Sequence, residues 1–140
     1  TFAPEHFARV RQIDTMKRKQ FIKGVNQIAQ EGAIQIFQEF NTGMEEIIVG
    51  VVGVLQFDVL KFRLESEYGV EIRLEPLPYE YIRWISPDST VDLTRIAGTS
   101  DMKKIKDLKD RPLLLFVNEW SINMVCERNK GLLLEDFAKN

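Results

Sequence analysis

Residues 47–60 read Ile47-Ile48-Val49-Gly50-Val51-Val52-Gly53-Val54-Leu55-Gln56-Phe57-Asp58-Val59-Leu60, and this stretch decides the fold. A β-branched run passes through two glycines and becomes an amphipathic helical pattern. Neither a proline nor a polar loop separates the two patterns. The stretch therefore predicts a buried strand that is followed almost at once by a helix.

The junction has the outline of a phosphate-binding loop but lacks its chemistry. Such a loop needs Gly, four residues, Gly, and then Lys with Ser or Thr, so that backbone amides and an ammonium group surround the phosphates. After Gly53 the first lysine is Lys61, well inside the predicted helix. The glycine triplet of dinucleotide-binding proteins is also missing. We interpret Gly50 and Gly53 as positions where a strand ends and a helix packs close to its own sheet.

Strand and helix patterns alternate on both sides of this junction. We predict a strand over 7–13, a helix capped by Asp14 or Thr15 and ended by Gly32, strands over 33–40 and 46–52, a helix to about Tyr68 that stops at Gly69, and a strand over 70–74. The strand over 46–52 is apolar on both faces, which predicts a central position. The order strand, helix, strand, strand, helix, strand is that of the split βαβ, ferredoxin-like fold.

The second half of the chain repeats this order less clearly. We predict strands over 79–85, 102–108, 113–118 and 132–137 and a helix over 119–129. Residues 86–89 resemble a helix start, and Gly98 could end a short helix through Leu93, Ile96 and Ala97, although the same residues could form a strand. Lysines in 102–108 suggest an edge strand. The predicted fold class is therefore α+β: a ferredoxin-like lobe over about residues 7–75 and a second α/β lobe over 76–140. Element order, not residue identity, suggests that the second lobe is ferredoxin-like too.

Composition limits the class of protein. The chain has 140 residues, of which 44% are hydrophobic and 29% charged, with a net charge of -2. These values are typical of one globular domain. The single cysteine, Cys126, excludes an internal disulfide and suits a reducing cytosol. No apolar run approaches the roughly 20 residues that span a bilayer. We expect a cytoplasmic protein without a membrane partner.

Catalytic groups are sparse in this sequence. The only histidine, His6, and the only cysteine, Cys126, lie near opposite ends, a spacing that does not favour a metal site. Asp58 has no evident carboxylate partner for acid–base catalysis. The strand over 46–52 also lacks the aromatic residues with which RNA-recognition sheets stack bases. We predict no catalytic residue, no cofactor and no metal in this segment.

Two groups of basic residues remain as candidate contact sites. Lys17, Arg18, Lys19 and Lys23 occupy the first turns of the first predicted helix. Positive charge there opposes the helix dipole at a cost of a few tenths of a kcal/mol, and such residues can be kept for contacts to phosphates. The second group contains Lys103, Lys104, Lys106, Lys109 and Arg111. Solvated surface is the simpler interpretation of both groups.

Several segments together resemble the C-terminal domain of the bacterial peptide chain release factor three family. They are Phe2-Ala3-Pro4-Glu5-His6-Phe7, Lys19-Gln20, Glu31-Gly32-Ala33, residues 48–59, Glu67-Tyr68-Gly69-Val70-Glu71 and, as the last clear segment, Arg83-Trp84. The first lobe is also similar to the third domain of elongation factor G, which departs from this sequence at Gln56-Phe57-Asp58.

The resemblance implies a GTP-dependent translation termination factor that promotes dissociation of class I release factors from the ribosome. The chain begins at Thr1, and residues 1–6 read as a linker from a preceding β-barrel domain. GTP and Mg²⁺ are then expected in an N-terminal GTPase domain outside this chain. The expected partners are the ribosome, through rRNA and small-subunit protein, and the factor's own GTPase and β-barrel domains, but not DNA.

The same resemblance turns Lys17, Arg18, Lys19 and Lys23 into candidate ribosome contacts. Two alternatives stay open at this point. The chain could be the equivalent domain of another translational GTPase. It could also be a regulatory module that binds a small molecule between two ferredoxin-like lobes.

Overall fold

The computed structural model of the protein describes residues 2–138, which form three α-helices and eight β-strands. The helices are α1 (Arg18–Gln30), α2 (Leu55–Tyr68) and α3 (Glu119–Arg128). The strands are β1 (His6–Gln12), β2 (Gln35–Glu39), β3 (Glu46–Val51), β4 (Ile72–Leu77), β5 (Tyr81–Ile85), β6 (Lys103–Asp107), β7 (Pro112–Phe116) and β8 (Leu134–Glu135). Short 3-10 turns cover Thr15–Lys17 and Leu93–Arg95.

All strands belong to one antiparallel sheet with the order β4-β1-β3-β2-β6-β7-β5-β8. The first half has the ferredoxin-like order 4-1-3-2. Numbering the strands of the second half 1′ to 4′ along the chain gives 2′-3′-1′-4′, which is the same arrangement read from the opposite edge. The counterpart of α1 in the second half is reduced to the 3-10 turn Leu93–Arg95. The α+β, ferredoxin-like prediction is confirmed.

The two halves are joined where β2 pairs with β6, with Phe37 opposite Asp107 and Glu39 opposite Ile105. Strand β6 also pairs with β7, so it lies in the interior of the sheet. The prediction of an edge strand over 102–108 is therefore wrong. Its lysines at positions 104 and 106 line one face of an interior strand, while Ile105 and Asp107 are buried on the other.

The sheet is strongly curved, so that its inner face becomes a core shared by both halves. The ring centres of Phe37 in β2 and Trp84 in β5 are 6.3 Å apart. Two strands separate β2 from β5, which would place them roughly 14 Å apart in a flat sheet. The shared core contains Phe7, Phe37, Ile48, Ile82, Trp84, Ile105, Leu113 and Leu115. On the outer face, α1 and α2 cover the first half and α3 packs against the second.

Strand β3 is central, as predicted, and the junction after it is short. Residues 47–51 are buried between β1 and β2, and α2 begins at Leu55. Gly69, with a φ of 67°, ends α2 in the left-handed conformation that favours glycine. The predicted helix cap also forms: the Asp14 side chain accepts a hydrogen bond from the Met16 amide, although α1 itself begins only at Arg18.

The predicted role of the two junction glycines is wrong in detail. A Cβ on Gly50 would lie 2.8 Å from Pro4 and 3.1 Å from Phe37. Gly50 shares its face of β3 with Ile48, on the inner side of the sheet, so it admits Pro4 rather than a helix. At Gly53, apart from its chain neighbours, no atom of the described residues lies within 4 Å of such a Cβ. Of the two junction glycines, only Gly50 is needed for close packing.

Alanine at these two glycines is expected to act in opposite directions. Gly50→Ala forces Pro4 or Phe37 to move and should lower the free energy of unfolding by about 1–3 kcal/mol. Gly53→Ala meets open space and should be neutral or stabilising by up to about 1 kcal/mol, because it restricts the unfolded chain. Urea denaturation of the two variants measures the difference. Equal losses would show that the contact at Gly50 is not a real constraint.

The last predicted strand, over 132–137, is much shorter in the structure. Strand β8 contains only Leu134 and Glu135, paired with Ile85 and Trp84 of β5. Before it, Leu132 packs in the core under α3. A short strand is enough here because β8 forms the edge of the sheet.

Candidate functional site

The four basic residues selected from the sequence surround the start of α1 but do not form one cluster. Lys19 and Lys23 are one helical turn apart, and both are exposed. The Arg18 guanidinium turns towards the loop before β3, with Nη2 3.6 Å from Glu45 Oε2. Lys17 Nζ lies 3.8 Å from the place where a Cβ on Gly69 would stand, at the end of α2. Arg18 is exposed as well but is paired with Glu45, so Lys19 and Lys23 are the two exposed lysines of the group.

The solvent-exposed face of α1 carries positive charge and amide groups without a carboxylate. The core side of the helix contains Phe21, Gly24, Val25 and Ile28, all buried. The exposed positions are Arg18, Lys19, Gln20, Lys23, Gln27 and Gln30. No aspartate or glutamate occurs between Asp14 and Glu31. A face of ammonium and amide donors is well suited to phosphate and sugar oxygens.

The second basic group is divided between the two faces of the sheet. Lys103 forms an ion pair with Glu39, and Arg111 forms one with Asp107, both on the inner side. On the outer side, Lys104 Nζ and Lys106 Nζ lie 5.3 and 5.8 Å from the centre of the half-exposed Phe40 ring. These residues therefore do not make a continuous basic patch comparable with the exposed face of α1.

Among the described residues, the Asp107 carboxylate accepts the largest number of hydrogen bonds. It accepts hydrogen bonds from Trp84 Nε1 at 3.2 Å, Arg111 Nε at 2.8 Å, and the backbone amides of Lys109 and Arg111 at 2.9 and 3.0 Å. Burial opposes ionisation, but these donors outweigh it and hold the pKa of Asp107 below 3.8. With its oxygens occupied, Asp107 stabilises the turn between β6 and β7 and is not available as a general base.

A second charged network crosses the join between the two halves. Arg9 lies 2.9 Å from Glu39, 3.0 Å from Glu46 and 2.8 Å from Glu75. Glu39 also pairs with Lys103 of β6. Burial favours the neutral form of Glu39, but Lys103 and Arg9 lower its pKa overall. This network connects strands from β4 to β6, so its charges act within the fold.

A cleft of about 450 Å³ lies between the two halves. Its polar lining includes Asp107 and Arg111, which bond to each other, and Gln35, whose amide donates to the Phe2 carbonyl. Because these polar groups already bond to other groups of the protein, the cleft does not favour the alternative of a regulatory module that binds a small molecule between two lobes. Residues 2–138 contain no group of three or more His, Cys, Asp or Glu that could hold a metal ion. Within the same residues no helix is long and apolar enough to cross a membrane.

The structure also shows an exposed apolar surface that the sequence reasoning missed. Leu55, Val59 and Phe62 of α2 are 73%, 43% and 69% exposed. They lie on the side of the helix opposite Leu60 and Leu64, which face the core. The spacing i, i+4, i+7 is visible in the sequence and could have identified a second apolar stripe.

Comparisons with known proteins agree with this fold and with the resemblance. The family model described as "Class II release factor RF3, C-terminal domain" matches residues 1–126, well past Trp84. The chain is 45% identical over 139 residues, 99% of its length, to peptide chain release factor 3 of Symbiobacterium thermophilum. It is 43% identical over 137 residues, 98% of its length, to that of Gloeobacter violaceus, and 43% identical over 122 residues, 87% of its length, to that of Limosilactobacillus reuteri.

These matches occupy 26%, 26% and 22% of the three relatives, so the chain spans about a quarter of their length. Both the family model and the relatives identify release factor 3, a factor of protein biosynthesis and translation termination. The alternative of an equivalent domain from another translational GTPase is therefore not supported. This chain belongs to the family of class II release factor RF3 C-terminal domains.

Proposed function

We propose that this chain is the part of a GTP-dependent termination factor that docks on the ribosome and couples docking to movement of the factor's other domains. The intact factor would promote dissociation of class I release factors from the ribosome in the cytoplasm, without a DNA or membrane partner. Family membership and the share of the relatives' length support this role.

The exposed face of α1 is the observation that carries the docking role. Lys19 and Lys23 project from a helix whose other side is fixed in the core by Phe21, Val25 and Ile28. A rigid support reduces the entropy lost when the lysines bind. We assign this face to rRNA phosphates, with Lys17 and Arg18 as flanking contacts and small-subunit protein as a neighbouring partner.

We also propose that nucleotide binding and catalysis belong elsewhere in the factor. The junction between β3 and α2 presents the apolar side chains of Val52, Val54 and Leu55 to solvent, where a phosphate loop would need cations. GTP and Mg²⁺ would be bound by a GTPase domain that precedes this chain. Residues 1–6 would connect a β-barrel domain to the lobes formed by residues 7–75 and 76–140.

Alanine at Lys17, Arg18, Lys19 and Lys23 in the full-length factor is expected to weaken ribosome binding. Four lost phosphate contacts at about 1 kcal/mol each would lower affinity by up to two or three orders of magnitude. Affinity should be measured by sedimentation with purified ribosomes. Binding of GTP by the full-length variant should be unchanged, because the substitutions lie outside the proposed nucleotide site.

A matched control separates this surface from a general effect of charge. Lys61, Arg73, Lys109 and Lys130 are exposed and lie on other elements, so alanine at all four removes the same charge. The control variant should bind ribosomes much more tightly than the α1 variant. Equal losses in both variants, or no loss in the α1 variant, would overturn the assignment of α1 as the docking face.

A further inference from the structure

Helix α2 presents an apolar surface to solvent that the fold does not use. The surface, here named the outer α2 face, consists of Val52, Val54, Leu55, Val59 and Phe62, each between 43% and 73% exposed. Buried Leu60 and Leu64 already supply the contact of α2 with the core. A helix that is apolar on both sides is typical of a position between two layers of protein. An exposed apolar surface of this kind indicates an interaction site.

The charges at the edge of the outer α2 face indicate a protein partner. Asp58 and Glu65 are exposed and flank the apolar stripe on one side, where they outnumber the exposed Lys61 beyond them. On the other side, Arg63 is held by Glu31 at 2.7 Å and by Glu67 at 2.7 Å. Free carboxylates repel the phosphates of RNA, whereas they complement lysines and arginines around an apolar protein surface. This separates the outer α2 face from the basic face of α1.

The leading segment of the chain enters the sheet at the end of β3, next to Val52 where the outer α2 face begins, although Pro4 itself lies on the inner side of the sheet, away from α2. The Glu5 amide donates to the Val51 carbonyl at 2.9 Å, and Pro4 packs on Gly50. The outer α2 face begins at the next residue, Val52. The family is that of a C-terminal domain, and the chain spans 26% of the first two relatives, so most of those proteins precede the matching region.

We propose that the outer α2 face is the docking surface for the domain that immediately precedes this one in the full-length factor. This inference rests on the proposed function, because it requires the chain to work as part of the longer factor. The preceding domain would contribute an apolar patch with a basic rim. Its attachment beside Val51 gives it a high effective concentration at this surface.

Hydroxyl-radical footprinting tests the proposal with wild-type proteins and without ribosomes. Oxidation of Leu55 and Phe62 should be about fivefold slower or more in the full-length factor than in this 140-residue chain, because an interface excludes water. Trp120 on α3 is 62% exposed and should react equally in both proteins. Equal oxidation of Leu55 and Phe62 in the two proteins would overturn the proposal.

Two further measurements identify the occupant. If dilution of the full-length factor restores oxidation of Phe62, the surface is covered by a second copy and the proposal is wrong. If Phe62 is protected only after ribosomes are added, the partner is ribosomal and the proposal is wrong again. Since no step depends on Lys19 or Lys23, protection of Phe62 can be established even if the assignment of α1 fails.

Discussion

Replacing Phe37 with alanine is expected to lower the free energy of unfolding by about 3–5 kcal/mol, the usual cost of removing a fully buried phenyl ring. Phe37 is 1% exposed and touches the rings of Phe7 and Trp84, each with centres 6.3 Å away. These two rings come from different halves of the sheet. Because Phe37 belongs to the core of both halves, we expect the variant to unfold in a single transition that is shifted to lower urea concentration.

Phe40→Ala is the matched control for this experiment. Phe40 follows β2 and is 40% exposed, and its ring centre lies 5.3 and 5.8 Å from the ammonium groups of Lys104 and Lys106. Its loss should cost about 1 kcal/mol or less. Urea denaturation followed by both tryptophan fluorescence and circular dichroism measures the two variants. Two separate transitions, or equal losses for Phe37 and Phe40, would contradict a core shared by the halves.

Asp107→Ala is expected to have the second largest effect, about 2–4 kcal/mol, because it leaves the buried Trp84 indole and two backbone amides without their acceptor. The folded state holds the pKa of Asp107 below its ordinary value of 3.8. A lowered folded pKa gives stability that is fully present above the ordinary pKa and is lost as pH falls through the folded pKa. The difference between wild type and variant should be largest near neutral pH and shrink below pH 3.8.

Asp110→Asn provides the control at the same turn. Asp110 is exposed and has a φ of 61°, a conformation that asparagine adopts readily. Its ion pair with Lys106 is on the surface, so its removal should change stability by no more than about 1 kcal/mol. Denaturation curves for both variants between pH 3 and 7 supply the comparison. If the free energies of unfolding of wild type and Asp107→Ala differ by the same amount over that whole range, ionisation of the Asp107 carboxylate does not stabilise the fold.

The first half of the fold follows closely from local sequence signals. Alternation in β1, the apolar β-branched run of β3, the apolar stripe of α1 and the glycine at position 69 give its elements their order. The join of β2 to β6 has no such signal, because it depends on two strand edges that meet only after folding. Lysines at positions 104 and 106 even suggested an edge. The same limit explains Gly50, whose neighbour Pro4 becomes adjacent only through the pairing of β1 with β3.

The candidate contact surface was also only partly visible in the sequence. The basic group at residues 17–23 is evident, but its division depends on Glu45 and Gly69, which folding brings to the start of α1. The exposed face of α2 is hard to predict, because Leu60 and Leu64 alone already account for one buried side of the helix. The sequence does not show that Leu55 and Phe62 are exposed. Their exposure is known only once the folded structure shows that no other element packs over them.

The salt dependence of ribosome binding tests the docking role of α1 most directly. Full-length wild-type factor and its Lys19→Ala, Lys23→Ala double variant should be compared over a range of salt concentrations, as the slope of log Kd against log salt. Each lysine that contacts a phosphate contributes about one to this slope, so the double variant should have a slope lower by about two. Parallel lines for the two proteins would contradict the assignment of this face to ribosomal RNA.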